Sequence, residues 1–91
     1  MKPGDLQAVV SVCRMLADPT RLSIVVILAK GPKFVMALCD ALKLPQPMVS
    51  HHLGLLRMSG LVDRKRKGKA QRYSLNRKAL EAARACLAKM Q

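Results

Sequence analysis

Gln46, Ser50, His51, His52 and Arg57 bring amide, hydroxyl, imidazole and guanidinium groups together within residues 46–57, with Met48 among them. Such groups donate and accept hydrogen bonds at base edges and phosphates, so this stretch is the candidate reader of a major groove. Hydrolytic or transfer chemistry has no comparable support. The chain offers no paired carboxylates, no nucleophile with a neighbouring base and no glycine-rich phosphate loop, while Asp18 reads as a helix cap and Glu81 stands alone. An enzyme is therefore not expected, nor is a cofactor. Neither histidine has an acid or thiol partner at ligand spacing, and no metal site is expected either.

A single helix must carry these side chains. Pro47 suits a first helical position, where its missing N–H has no partner to lose, and Gly60 suits the left-handed residue that ends a helix. Val49, Leu53 and Leu56 follow i, i+4, i+7 and turn one stripe to a core. At about 100° per residue His51 then lies nearly opposite the stripe and Ser50 to one side. His52 lies about 60° from it, which suits a structural role as well as a contact.

The remaining segments read as four further helices and a hairpin. Residues about 5–17 form an amphipathic helix through Leu6, Val9, Val10, Cys13 and Leu16. Asp18 caps a second helix that starts at Pro19 and runs through Leu22–Leu28, an apolar stretch expected to be buried on most sides. Its β-branched residues also fit a strand, but the Asp-Pro start and the Lys30-Gly31-Pro32 stop favour a helix. A third helix covers about 34–43. After Gly60 the period changes: residues 61–66 and 71–75 read as strands around a turn at 67–70, with Gly68 supplying a positive φ. Asn76 caps a last helix over about 77–90. The fold class is mainly α (α+β): five helices and a hairpin, with one domain over 1–91.

Charge narrows the partner. Seventeen Lys and Arg against five Asp and Glu give +12 on 91 residues, a field suited to a polyanion. Arg64, Lys65, Arg66, Lys67, Lys69 and Arg72 all fall on the hairpin, with Asp63 the one nearby acid. A cationic hairpin beside a recognition helix is a wing. Hydrophobic residues make up 51% of the chain with one Phe, one Tyr and no Trp, so the core is aliphatic. The first and last helices carry more apolar surface than one small core needs, and a homodimer through about 5–17 and 77–90 would cover it. No run approaches the roughly 20 apolar residues of a membrane span, and the first residues lack a signal-peptide plan, so the expected location is cytoplasmic. Cys13, Cys39 and Cys86 are odd in number and widely spaced, unlike a disulfide framework or a zinc module.

The strings Leu16-Ala17-Asp18-Pro19-Thr20-Arg21-Leu22, Val49-Ser50-His51-His52-Leu53, Ser59-Gly60-Leu61-Val62 and Tyr73-Ser74-Leu75 resemble, in order and separation, the ArsR/SmtB family of bacterial winged helix-turn-helix repressors. The resemblance covers nearly the whole chain. It implies a homodimer built from the first and last helices, a recognition helix in the major groove, a wing toward the minor groove, and repression relieved by an inducer. On the DNA side Gln46, Ser50, His51 and His52 match the family's usual positions, whereas Pro45 and Met48 stand where the family more often has Ser and Thr. On the sensing side the match fails. Phe34 and Met36 occupy the positions of a Cys-x-Cys in members that sense soft metals through the third helix. The segment from Asn76 to Glu81 has no histidine where zinc sensors use Asp-x-His and His-x-x-Glu. Cys39 matches a core position. Cys13 and Cys86, on the two helices of the implied interface, are the candidate thiol sensor, with plain burial as the alternative. The expected function is a sequence-specific repressor on double-stranded DNA, acting on an inverted-repeat operator, with no membrane partner and the inducer open. The alternative is a nonspecific nucleoid-associated or RNA-binding basic module.

Overall fold

The computed structural model describes residues 3–90. Helix α1 (Pro3–Leu16) leads into α2 (Pro19–Leu28), then β1 (Lys33–Phe34), α3 (Val35–Leu42), α4 (Gln46–Met58), β2 (Val62–Lys67), β3 (Ala70–Leu75) and α5 (Arg77–Ala88). The sheet is antiparallel in the order β1-β3-β2, with Lys33 opposite Tyr73, Val62 opposite Leu75 and Lys67 opposite Ala70.

Local signals account for most boundaries. The Asp18 carboxylate accepts the Arg21 N–H at 3.0 Å, satisfying one orphan donor of α2. Asn76 does the same for α5, accepting from the Lys78 and Ala79 N–H groups. Gly60, at φ 84°, ends α4 in a Schellman arrangement: the Leu61 N–H donates to Leu56 and the Gly60 N–H to Arg57. Lys43, at φ 58°, makes the left-handed turn between α3 and α4.

Three boundary expectations need correction. Helix α3 begins at Val35, not 34, because Phe34 pairs with Arg72 in β1, a strand too short to leave a pattern. Helix α4 begins at Gln46, with Pro45 at the cap position and Pro47 inside the first turn. The hairpin loop is two residues, Gly68 and Lys69, since Lys67 and Ala70 still pair; Gly68, at φ 62°, takes the first loop position, where glycine meets no steric cost. Nor is α2 enclosed on most sides. Ile24, Val25 and Leu28 are buried, but Leu22 and Val26 are exposed. Between Leu22 and Leu28 only Ser23 is polar, too little to mark an outer side.

The core lies where α2, α3, α4 and the base of the sheet meet. Ile24, Leu28, Leu38, Val49, Leu53, Leu56, Leu61 and Val62 are fully buried there. Helix α1 packs on α5 and α2 to one side of this core. The Asn76 N–H donates to Leu61 at 2.8 Å and the Arg77 guanidinium to Ala29 at 2.8 Å, which ties the start of α5 to the wing base and to α2. Among the described residues no helix is long and apolar enough to cross a membrane.

Candidate nucleic-acid interface

Burial of Val49, Leu53 and Leu56 fixes the roll of α4 about its axis, and that roll decides where the polar side chains point. Gln46, Met48, Ser50, His51 and Arg57 are exposed. Gln46 and Ser50 face a notch of about 450 Å³ between α4 and the hairpin tip, whose other walls are Phe34, Val35, Met36, Lys69, Ala70 and Gln71. Phe34 and Met36, the positions of the resembled Cys-x-Cys, thus form an apolar wall beside the reading face.

The hairpin holds its cations in two rows. Pairing across the strands sets Arg64 opposite Tyr73 and Arg66 opposite Gln71 on one face, and Lys65 opposite Arg72 on the other. Tyr73 is buried and seats the wing on the body, while residues 63–69 are exposed. Among the described residues none of the six wing cations has an ion-pair partner. Lys65 directly opposite Arg72 is a like-charge pair that costs free energy in the free protein and is neutralised by a polyanion.

His52 is set apart from the other candidates. Its side chain is 15% exposed and its Nδ1 lies 3.4 Å from Arg21 Nη1 and 3.9 Å from Asp18 Oδ2, with the His51 ring edge-on at 5.4 Å. The Asp18 carboxyl is held below the usual carboxylate range by the Arg21 backbone N–H first, against the opposing effect of burial, with the Arg21 charge adding to the lowering. Local sequence gives Asp18 a cap alone; its place beside a recognition-helix histidine has no local signal.

The thiols divide by environment. Cys39 is buried in the core, Cys13 is exposed on α1 and Cys86 is buried on α5. Cys13 and Cys86 line one open apolar cavity of about 500 Å³ together with Leu6, Val10, Leu87 and Met90. Among the described residues no group of three or more His, Cys, Asp and Glu side chains is arranged to hold a metal ion.

A helix-turn-helix followed by a hairpin wing is the architecture that the sequence motifs anticipated, and comparison with known proteins agrees. The model of the family described as bacterial regulatory protein, arsR family, matches residues 18–64, more than half of the chain. The chain belongs to the arsR family. The matched region runs from the cap of α2 through α4 to Arg64 in β2, so it contains all of α4 but only the first of the six wing cations. This arsR-family chain is 41% identical over 70 residues to the HTH-type transcriptional repressor SmtB of Mycobacterium tuberculosis, covering 77% of this chain and 52% of that protein. It is 47% identical over 64 residues to the arsenical resistance operon repressor of Escherichia coli, covering 69% of this chain and 55% of that one. It thus spans about half the length of these relatives. Among solved structures, the homodimeric winged helix-turn-helix DNA-binding domain of a possible ArsR-family regulator from Mycobacterium bovis matches at a TM-score of 0.76 and 30% identity, over 92% of this chain and 80% of that one.

Proposed function

We propose that this chain is a cytoplasmic, homodimeric, sequence-specific DNA-binding repressor of transcription, folded as one winged helix-turn-helix domain. The observation that carries the reading is one surface on which the exposed side chains of α4 stand beside a wing of cations without ion-pair partners among the described residues. In this reading Gln46, Met48, Ser50, His51 and Arg57 meet the major groove, and Arg64, Lys65, Arg66, Lys67, Lys69 and Arg72 hold phosphates. Leu6 and Val10 on α1, Leu87 on α5 and Met90 just beyond it remain exposed, and a second copy would cover them; the homodimeric relative from Mycobacterium bovis supports that assembly. Two α4 helices related by a two-fold axis meet successive major grooves about 34 Å apart, so the operator is an imperfect inverted repeat.

The test starts from duplexes that the protein itself selects from a random library. Ser50→Ala and His51→Ala should each weaken binding to the selected site by roughly 1–3 kcal/mol and leave random DNA little changed, as removal of a base-edge hydrogen bond requires. Equal losses on both DNAs would replace this reading with a nonspecific basic module.

Release of the operator, in the same proposal, runs through Cys13 and Cys86. Both residues line one cavity between α1 and α5, the helices that in this reading set the spacing of the two recognition helices. A two-electron oxidant that joins two thiols with loss of two protons, a bridging persulfide, or an arsenite held by thiolates would shift α1 against α5, with coupling of about 1–3 kcal/mol. The parent should then lose operator affinity on treatment with peroxide, polysulfide or arsenite, and Cys13→Ser/Cys86→Ser should not. A double variant that responds like the parent, or a parent indifferent to all three reagents, makes both thiols packing residues.

A further inference from the structure

We infer that His52 is a positioning residue for the recognition helix, linked through Arg21 to the carboxyl end of α1, and not a group that reads a base. The inference rests on the DNA-binding reading above and assigns one of the matched recognition-helix positions a different task. Arg21 makes the link with one guanidinium. Its Nε donates to the Met15 carbonyl at 2.9 Å, and its Nη1 lies 3.4 Å from His52 Nδ1. Met15 stands in the last turn of α1, where carbonyls have no partner within the helix, and a cation there is favourable to the helix dipole. Asp18 steadies the other side of Arg21, since its Oδ2 accepts the Arg21 backbone N–H.

The chemistry of the ring follows from its neighbour. A guanidinium only donates, so the inferred link requires the tautomer in which Nδ1 accepts and Nε2 carries the ring proton. With its side chain 15% exposed and turned toward α2, the ring spends its acceptor on the protein interior. The result is a polar link from the last turn of α1 through the start of α2 to the middle of α4. Packing of α4 on the core fixes its roll; this link adds a constraint on its tilt relative to α1, the helix proposed to carry the dimer. Tilting a recognition helix moves every base contact at once, so loss of the link should weaken the whole site and not one base pair.

The experiment compares Arg21→Met, His52→Ala and the double variant on the selected duplex and on its single-base-pair variants. Arg21→Met keeps the aliphatic stem and leaves the backbone N–H to Asp18 in place. Each single change should lower affinity for the selected duplex roughly 5- to 10-fold, the scale of one or two lost part-buried hydrogen bonds. The double variant should be no weaker than the weaker single, because both remove the same link. The ranking of base-pair variants should keep the parent order, and His52→Asn, whose side-chain oxygen can accept from Arg21, should recover most of the loss. Loss of discrimination at a single base pair, or additive losses in the double variant, would make His52 a base contact and overturn the inference, as would an unchanged affinity in His52→Ala. Should Arg21→Met fold poorly by circular dichroism, Arg21→Lys serves in the same cycle, since an ammonium cannot reach both acceptors as a fork does. Failure of the parent itself to select any duplex is a distinct outcome: it removes the repressor reading, and this inference with it.

Discussion

Leu53→Ala should destabilise the fold by about 2–5 kcal/mol, the range for a large aliphatic side chain removed from a close-packed core. Leu53 sits in the middle of α4 with no exposed surface, between Val49 and Leu56 on the same buried stripe. The cavity left behind cannot collapse easily, because α2, α3 and β2 all pack against α4 and would have to move together. Domains of this size have only about 5–15 kcal/mol in total, so the loss is a large fraction. A fall of about 10 °C or more in Tm follows. Met58→Ala is the internal control: it stands at the end of the same helix, 83% exposed, and should change stability by less than about 0.5 kcal/mol. Thermal unfolding at one fixed protomer concentration makes the comparison, since a dimer's midpoint moves with concentration. Equal effects at the two positions would mean that α4 is not seated as described.

Neutralising the wing gives the second large effect. Lys65→Ala, Lys67→Ala and Lys69→Ala combined should reduce the slope of log affinity against log salt by about three, close to one counterion for each phosphate no longer neutralised. Extrapolated from 1 M salt, where counterion release contributes nothing, that slope amounts to roughly two decades of affinity near 0.15 M. The loss should be the same on selected and on random duplexes, because phosphates carry no sequence. Folding should be unharmed. These lysines are exposed, and removing Lys65 relieves its apposition to Arg72. An unchanged salt slope, or a loss seen only on the selected site, would take the wing off the phosphate backbone.

Much of this molecule was legible in the chain because its signals are short-range. Asp18 and Asn76 cap helices through their own side chains, Gly60 and Gly68 supply backbone conformations that cost other residues energy, and the Val49-Leu53-Leu56 stripe sets the roll of α4 by period alone. Those features placed α4 and its outward polar groups, and the run of cations fell on the hairpin. The motif strings added the family, since they recur in the same order at the same separations.

Tertiary structure decided what each face meets. A two-residue strand, Lys33–Phe34, exists only because β3 offers it partners, so no local period could announce it. The outer side of α2 was illegible because an apolar residue looks the same whether or not a neighbour covers it, and Leu22 and Val26 are left uncovered. The helical wheel put His52 at the edge of the buried stripe, and only the fold brings Arg21, 31 positions away in sequence, to its ring. Sequence by itself determined the five helices and the hairpin, their ends to within a residue or two, and the charged and apolar faces of every helix but α2, because backbone hydrogen bonding and side-chain periodicity act over a few residues. Which side chains share the notch, the thiol cavity or the link from α1 to α4 was decided by the packing of elements distant in the chain, where contact depends on geometry that no local pattern encodes.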